Sequence, residues 1–512
     1  MLQNINLLKV KTLGCTIGLG LSSTIGMAQV PKDINKPNII YVLADDLGYG
    51  DLSCYNKQGK INTPNIDKLA SEGVRFTDAH TSSAVCTPTR YGILTGRYNW
   101  RSTLKRGVLK GTSSSLIPSE RETVASMLKK QGYTTAFIGK WHLGWNWVKD
   151  EKGEIDFSKA LTHSPNDLGF DYAYGHCGSL DMSPYVYVEN GKATQIPVKT
   201  TVSKAKQAWW REGPTAPDFI HEDVTPNFFR RAMSYVKTQS SEKKPFFLYL
   251  PIPSPHTPIL PTAEFQGKSG LNPYGDFVMM IDAYMGELLK VIKDAGIEDN
   301  TLIVFTSDNG CSPQADYDEL ALLGHDPSGI YRGHKADIYE GGHRVPFIVK
   351  WPKQIKANQS SDDIICTTDF MATCADITGA DLKDDMAEDS FSMLPIFINK
   401  GKFQRTNTVH HSIDGSFSIR EKNWKLALCP GSGGWSYPKP RKDDVSGMPK
   451  YQLYNLKKDA GEENNLFLSK QKKAEQMKSD LIDLIQNGRS TPGEAQKNDP
   501  VKVWPQLKAL LK

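Results

Sequence analysis

Long apolar runs are missing from almost all of the chain. Beyond the first 28 of its 512 residues, no stretch approaches the ~20 apolar residues that a membrane helix requires, which excludes a stable membrane span. Charge of one sign is missing too: 62 Lys and Arg face 57 Asp and Glu, a net charge of +5. Such a balance leaves no nucleic-acid footprint. Cysteine is scarce, eight in all.

The N-terminus carries Lys9 and Lys11, an apolar stretch from Leu13 to Met27, and Gly26-Met27-Ala28 before Gln29. This reads as a cleaved secretory signal over residues 1–28, its apolar run too short to span a bilayer comfortably. Cys15 offers a lipoprotein alternative, opposed by Thr12 three residues before it and by an apolar stretch that mostly follows it. Cleavage removes two lysines and no acids, taking the net charge to +3. The mature chain is expected to be exported, soluble and periplasmic.

Seven cysteines would remain: Cys54, Cys86, Cys177, Cys311, Cys366, Cys374 and Cys429. An odd number in an exported chain suggests one with a separate task, and Cys86 is the candidate; pairing among the other six stays open. The mature length of roughly 480 residues exceeds what one core sustains. Two domains are expected, 29–395 and 396–512.

Ile39-Ile40-Tyr41-Val42-Leu43 is an apolar, β-branched run that leads into Asp45-Asp46. Continuous runs of this kind suit strands buried on both faces. The pattern recurs where 134–138 leads into Lys140 and His142, 245–250 into His256, and 301–305 into Asp308-Asn309-Gly310. Helical patterns lie between, at 123–131 before Gly132 and at 276–295 before Gly296. Alternation of this kind predicts an α/β fold with a mostly parallel sheet flanked by helices. Ligands bind outside the carboxyl ends of such strands. Asp45, Asp46, Lys140, His142, His256, Asp308 and Asn309 can therefore converge, although Asp-Asp and Asp-Asn-Gly are each ordinary turns in isolation. Together Asp45, Asp46, Asp308 and Asn309 make an all-oxygen ligand set for a hard divalent cation.

Cys86-Thr87-Pro88-Thr89-Arg90 is followed by Leu94-Thr95-Gly96-Arg97. Pro88 suits a first helical turn, placing residue 86 at a helix N-terminus, where free N–H groups favour an anion. C-x-P-x-R followed by L-T-G-R resembles the signature of the type I sulfatases. Gly139-Lys140-Trp141-His142-Leu143-Gly144 resembles their second signature, and the likeness runs from Pro37 to about Gly379. It implies an alkaline-phosphatase-like fold and a Cys86 oxidised to formylglycine by a maturase. It also implies one divalent cation on Asp45, Asp46, Asp308, Asn309 and position 86. Calcium is favoured over magnesium, since several carboxylates in a roomy site suit it and magnesium keeps its waters.

By the same resemblance, a hydrated aldehyde at position 86 attacks sulfur, and His142 takes a proton from its second hydroxyl to expel sulfate. His256 and Lys335, in Gly333-His334-Lys335-Ala336, serve the leaving group. Arg90 fixes geometry while Lys140 and Lys335 act as point charges. Glu340-Gly341-Gly342-His343-Arg344 also follows the family pattern, with a structural ion pair from Arg344 as an equal reading.

After about residue 400 the texture changes to short strands at 406–412, 416–421, 424–429 and 451–456, then an amphipathic helix at 469–487. They predict a small C-terminal subdomain with an antiparallel sheet. Tyr172, Tyr174, Tyr185, Tyr187 and Trp209-Trp210 read equally as sugar contacts or as packing, and His176 and His411 are candidates for hydroxyl recognition. The overall reading is an exo-acting sulfatase on sulfated oligosaccharides of the galactose or N-acetylgalactosamine group. The alternatives are a phosphate or phosphonate ester hydrolase of the same superfamily, and a non-catalytic binder of sulfated glycan.

Overall fold

A computed structural model describes residues 36–440 and 442–510; the signal-sequence reading of residues 1–28 lies outside them. The buried apolar runs form the centre of a ten-stranded sheet. Strands Thr301–Ser307, Asn38–Asp45, Phe246–Pro255, Thr134–Lys140 and Tyr172–His176 are contiguous and parallel. Phe347–Lys350 and Val74–Phe76 extend one edge, antiparallel at the join to Thr301–Ser307 and to each other. The four strands that end in ionisable residues are thus immediate neighbours, and their carboxyl ends lie side by side.

Helices Pro64–Ser71, Val224–Ser240 and Pro273–Asp294 pack together over the sheet; Cys86–Thr95, Val124–Lys130 and Phe370–Thr378 form a second group. Pro273–Asp294 starts three residues before the helix read from sequence. Asn272 caps it by accepting from the Tyr274 amide at 3.1 Å, and Pro273 occupies the first turn. No helix among the described residues is long and apolar enough to cross a membrane.

The second sheet is antiparallel, ordered Asn407–His411, Phe417–Glu421, Trp424–Ala427, Gln452–Asn455. Helix Gln471–Gln486 buries Ala474, Met477, Leu481 and Ile485 against it, one stripe at helical spacing. Tyr98 and Trp100 join this apolar core from the larger unit.

A buried polar junction ties the two sheets together. Lys425 Nζ lies 2.8 Å from Glu462 and 3.1 Å from Glu340, all three fully buried. Arg420 and Arg344 reach Asp78 at 2.8 and 3.2 Å. His80, His343 and His410 complete it. His80 Nδ1 lies 3.1 Å from His343 Nδ1 and its Nε2 lies 2.7 Å from Asp78, while the rings of His343 and His410 stack at 4.0 Å. Burial, joined for His343 and His410 by repulsion from neighbouring charge, holds all three below the ordinary histidine value. The folded state keeps these rings neutral where unfolded histidines, with a pKa near 6.5, would take up protons. Their contribution is therefore complete above about pH 7 and is lost as pH falls below about 6.5. The urea midpoint is expected to drop between pH 7.5 and 5.5, and His410→Gln to make that drop smaller; a pH-independent midpoint would contradict this.

Candidate active site

Two of the strand ends turn sharply just beyond their last residue. Asp46 and His142 both take left-handed backbone, at φ 67° and 53°, a conformation that costs a non-glycine residue of order 1–3 kcal/mol and recurs at functional sites. Gly310 approaches the Glu340-Gly341-Gly342 segment so closely that a Cβ there would lie 1.8 Å from the Gly341 carbonyl oxygen. The two glycine-containing motifs are one packed unit.

Cys86 is the first residue of helix Cys86–Thr95 and is 2% exposed. Around it, Asp45, Asp46, Asp308, Asn309, Arg90, Lys140, His142, His256 and Lys335 are all buried. Arg90 donates from Nε and Nη2 to Asp308 Oδ2 at 3.0 and 2.7 Å, and from Nη1 to the Lys140 carbonyl at 3.0 Å. Lys140 Nζ meets Asp45 at 2.5 Å. Lys335 Nζ meets Asp46 at 2.7 Å, with His256 Nε2 at 3.6 Å from the same carboxylate. Asn309 Nδ2 donates to Asp46 at 2.6 Å. His142 Nε2 lies 2.9 Å from the Leu109 carbonyl, so Nε2 carries the proton and Nδ1 keeps its lone pair.

Charge in this space is finely divided. Burial alone would raise the Asp45 carboxyl, but Lys140, His256 and Arg90 hold it below the usual range. Burial and the adjacent Asp45 push Asp308 up in spite of Arg90. Burial raises the Cys86 thiol against the pull of Lys140 and Lys335. Burial and Lys140 keep His142 well below the ordinary histidine value. Lys335, opposed by burial, is raised by Asp46.

Two buried oxygens, Asp45 Oδ1 and Asn309 Oδ1, have no hydrogen-bond partner. Ligand atoms of Asp45, Cys86 and Asp308 lie within 4.8 Å of one another, as do those of Asp45, Asp46 and His256. Orphaned oxygens and mutually repelling carboxylates are what a hard dication relieves, so these residues fit one. His80, His343 and His410 also lie within 4.8 Å of one another. There Lys425 Nζ stands 3.0 Å from His343 Nε2 and the near-parallel His343 and His410 rings set their nitrogens side by side, so this group is a hydrogen-bonded junction.

His176 and His411 are buried and already engaged. His176 faces the Val186 and Ser179 carbonyls at 3.4 and 3.3 Å; His411 Nε2 is 2.8 Å from Asn99 and its Nδ1 2.8 Å from the Ser412 carbonyl. Neither offers a free nitrogen to a sugar hydroxyl. Tyr174, Tyr185 and Tyr187 pack in the core, Tyr174 against Tyr187 at 5.2 Å, so these three are packing residues. Arg344 takes the ion-pair role, 3.0 Å from Glu340. All seven described cysteines are free, so their odd number does not single out Cys86; its position does. The Leu109 carbonyl that orients His142 was invisible in the sequence, because any residue supplies a carbonyl.

The sulfatase family model matches residues 37–380, and an N-sulphoglucosamine sulphohydrolase C-terminal model matches 332–431. The chain is 34% identical to an N-acetylgalactosamine-6-O-sulfatase of Bacteroides thetaiotaomicron, covering 85% of this chain and 90% of that one. It is 32% identical to human arylsulfatase A, covering 89% and 87%. A solved structure from the metabolism of multiple glycosaminoglycans by Bacteroides thetaiotaomicron superposes with a TM-score of 0.77 at 33% identity, covering 87% of this chain and 98% of that one. That family implies a metal ion and a formylglycine, and the strand-end cluster has the residues for both. With its signatures in order along the central sheet and the family match spanning most of the chain, this protein belongs to the sulfatases, hydrolases of sulfuric esters.

Proposed function

We propose that this enzyme removes sulfate from the ends of sulfated oligosaccharides of the galactose or N-acetylgalactosamine group. The observation that carries the reading is the pairing of three cations, Arg90, Lys140 and Lys335, with three carboxylates, Asp45, Asp46 and Asp308, around Cys86 at a helix N-terminus. A dication added to this balanced set leaves a positive surplus that suits a sulfate ester. The name of the Bacteroides relative supports the choice of sugar. The signal-like N-terminus supports export to the periplasm.

Oxidation of Cys86 by a maturase supplies an aldehyde hydrate, whose two hydroxyls serve attack on sulfur and release of sulfate. Asp45, Asp46, Asp308 and Asn309 would hold the cation, calcium rather than magnesium, whose chemistry is to polarise sulfate oxygens and acidify a nearby hydroxyl. Arg90 is locked between Asp308 and the Lys140 carbonyl, so it orders the site while Lys140 and Lys335 bring charge to the sulfate. His142 Nδ1, with its lone pair free, takes the proton from position 86. His256 Nδ1 is 2.5 Å from the Thr257 carbonyl and donates to it; as an imidazolium, protonated on both nitrogens beside Asp46, the ring hands its Nε2 proton to the departing sugar oxygen beside Lys335 and is left neutral.

Turnover of an aryl sulfate, an aryl phosphate and regio-defined sulfated sugars tests the reading. Sulfated galactose or N-acetylgalactosamine is expected to be cleaved fastest, and faster phosphate cleavage would overturn it. Calcium is expected to raise the thermal midpoint of the chelator-treated protein, by about 2.7 kcal/mol of stabilisation at a hundred times Kd. Asp308→Ala is expected to abolish that rise, and an equal rise in the variant would place the ion elsewhere.

A further inference from the structure

Near the catalytic cluster, a cavity of about 580 Å³ opens among the loops around Gly107, Ile413 and Trp435, lined by Arg106, Gly107, Asp414, Trp435, Lys439 and Lys442 among others. We propose that it is a second sugar subsite, one that accepts an anionic sugar adjoining the sulfated one. This rests on the sulfatase reading above and extends it from a single sulfated sugar to a polyanionic chain.

Three observations converge. First, the cavity is joined to the reaction centre through its walls. The Gly107 amide donates to the Ile413 carbonyl at 2.9 Å, and two residues on, the Leu109 amide donates to Thr87 Oγ1 at 3.2 Å while the Leu109 carbonyl orients His142. On the other wall, the Ile413 amide donates to the Ala336 carbonyl at 3.0 Å, next to Lys335, and the Trp435 amide donates to Asp337 at 2.7 Å. Gly434 seats this loop, because a Cβ there would lie 2.4 Å from the Ala336 carbonyl oxygen.

Second, the lining is cationic. Among the described lining residues Arg106, Lys439 and Lys442 stand with one carboxylate, Asp414, which already accepts from Ser412 Oγ at 2.8 Å and the Ser416 amide at 2.9 Å; Asp443, in the same loop, is engaged by the Lys439 amide at 2.6 Å. Arg and Lys without carboxylate partners attract an anion and pair with it by charge-assisted hydrogen bonds.

Third, Trp435 adds a half-buried indole to the same wall, an apolar face against which a sugar ring can lie while its hydroxyls stay wet. The volume falls within the range of small-ligand sites and holds a sugar unit. Cationic groups, an aromatic face and contact with Ala336 beside Lys335 fit a carboxylated or second sulfated sugar better than a neutral one.

The test compares an aryl sulfate with three disaccharides of sulfated N-acetylgalactosamine. In these the neighbour is a uronic acid, its carboxyl-reduced form, or a neutral sugar bearing a second sulfate. In Lys439→Ala/Lys442→Ala, the ratio of kcat/KM on an anionic disaccharide to that on the aryl sulfate is expected to fall about tenfold, through KM. The carboxyl-reduced disaccharide should show no such fall. The arm that falls most, uronate or second sulfate, identifies the anion. Trp435→Ala is expected to raise KM for all three disaccharides. An unchanged ratio, or an equal fall for the carboxyl-reduced form, would overturn the proposal. A wild-type protein inactive on every sulfate would strike the sulfatase reading instead. Calorimetric binding of the uronate disaccharide to Cys86→Ala, lost on adding the two lysine substitutions, would still decide the subsite.

Discussion

The chain of ion pairs from Lys140 through Asp45 and Arg90 to Asp308 is the interaction to which the rest of the architecture answers. Each of these side chains is fully buried, and removing a charge from water costs several kcal/mol unless partners compensate it. Partners can be within reach only if the strands that carry them end close together on one side of the sheet. The order Thr301–Ser307, Asn38–Asp45, Phe246–Pro255, Thr134–Lys140 meets that condition, and Arg90 crosses from the helix to tie the Asp308 and Lys140 strand ends together. The sheet is thus a frame that makes a dense set of opposite charges tolerable around one sulfur atom.

That frame also explains why the site has surplus valence. Asp45 Oδ1 and Asn309 Oδ1 are left without hydrogen-bond partners, and burial together with Asp45 pushes Asp308 up. The left-handed backbone of Asp46 and His142 points the same way, since local strain held by a rigid sheet is typical of residues aimed at a task.

Much of this was legible from the chain. Four apolar runs with polar tails became neighbouring strands because their short length and β-branched content separate them from buried helix, and the ends of parallel neighbours meet on one edge. The C-terminal strands and helix likewise followed from alternation and from the Ala474-Met477-Leu481-Ile485 stripe. What escaped depends on contacts between distant segments with no period of their own. The Leu109 carbonyl behind His142, the Lys425 junction with Glu340 and Glu462, and the loops of Arg106, Trp435 and Lys439 are of this kind. His176 and His411 erred in the opposite direction, as polar residue types whose nitrogens the fold uses internally.

The proposed sugar subsite takes its walls from the loop at residues 106–107 and from loops of the smaller sheet. The chemistry, by contrast, hangs on a single position. The most direct measurement is the mass of the tryptic peptide spanning residue 86, in protein made with and without a formylglycine-generating maturase, set against sulfate-ester turnover. The account predicts that turnover rises in proportion to the fraction of peptide lightened from cysteine to formylglycine; full turnover from protein whose Cys86 is wholly unmodified would contradict it.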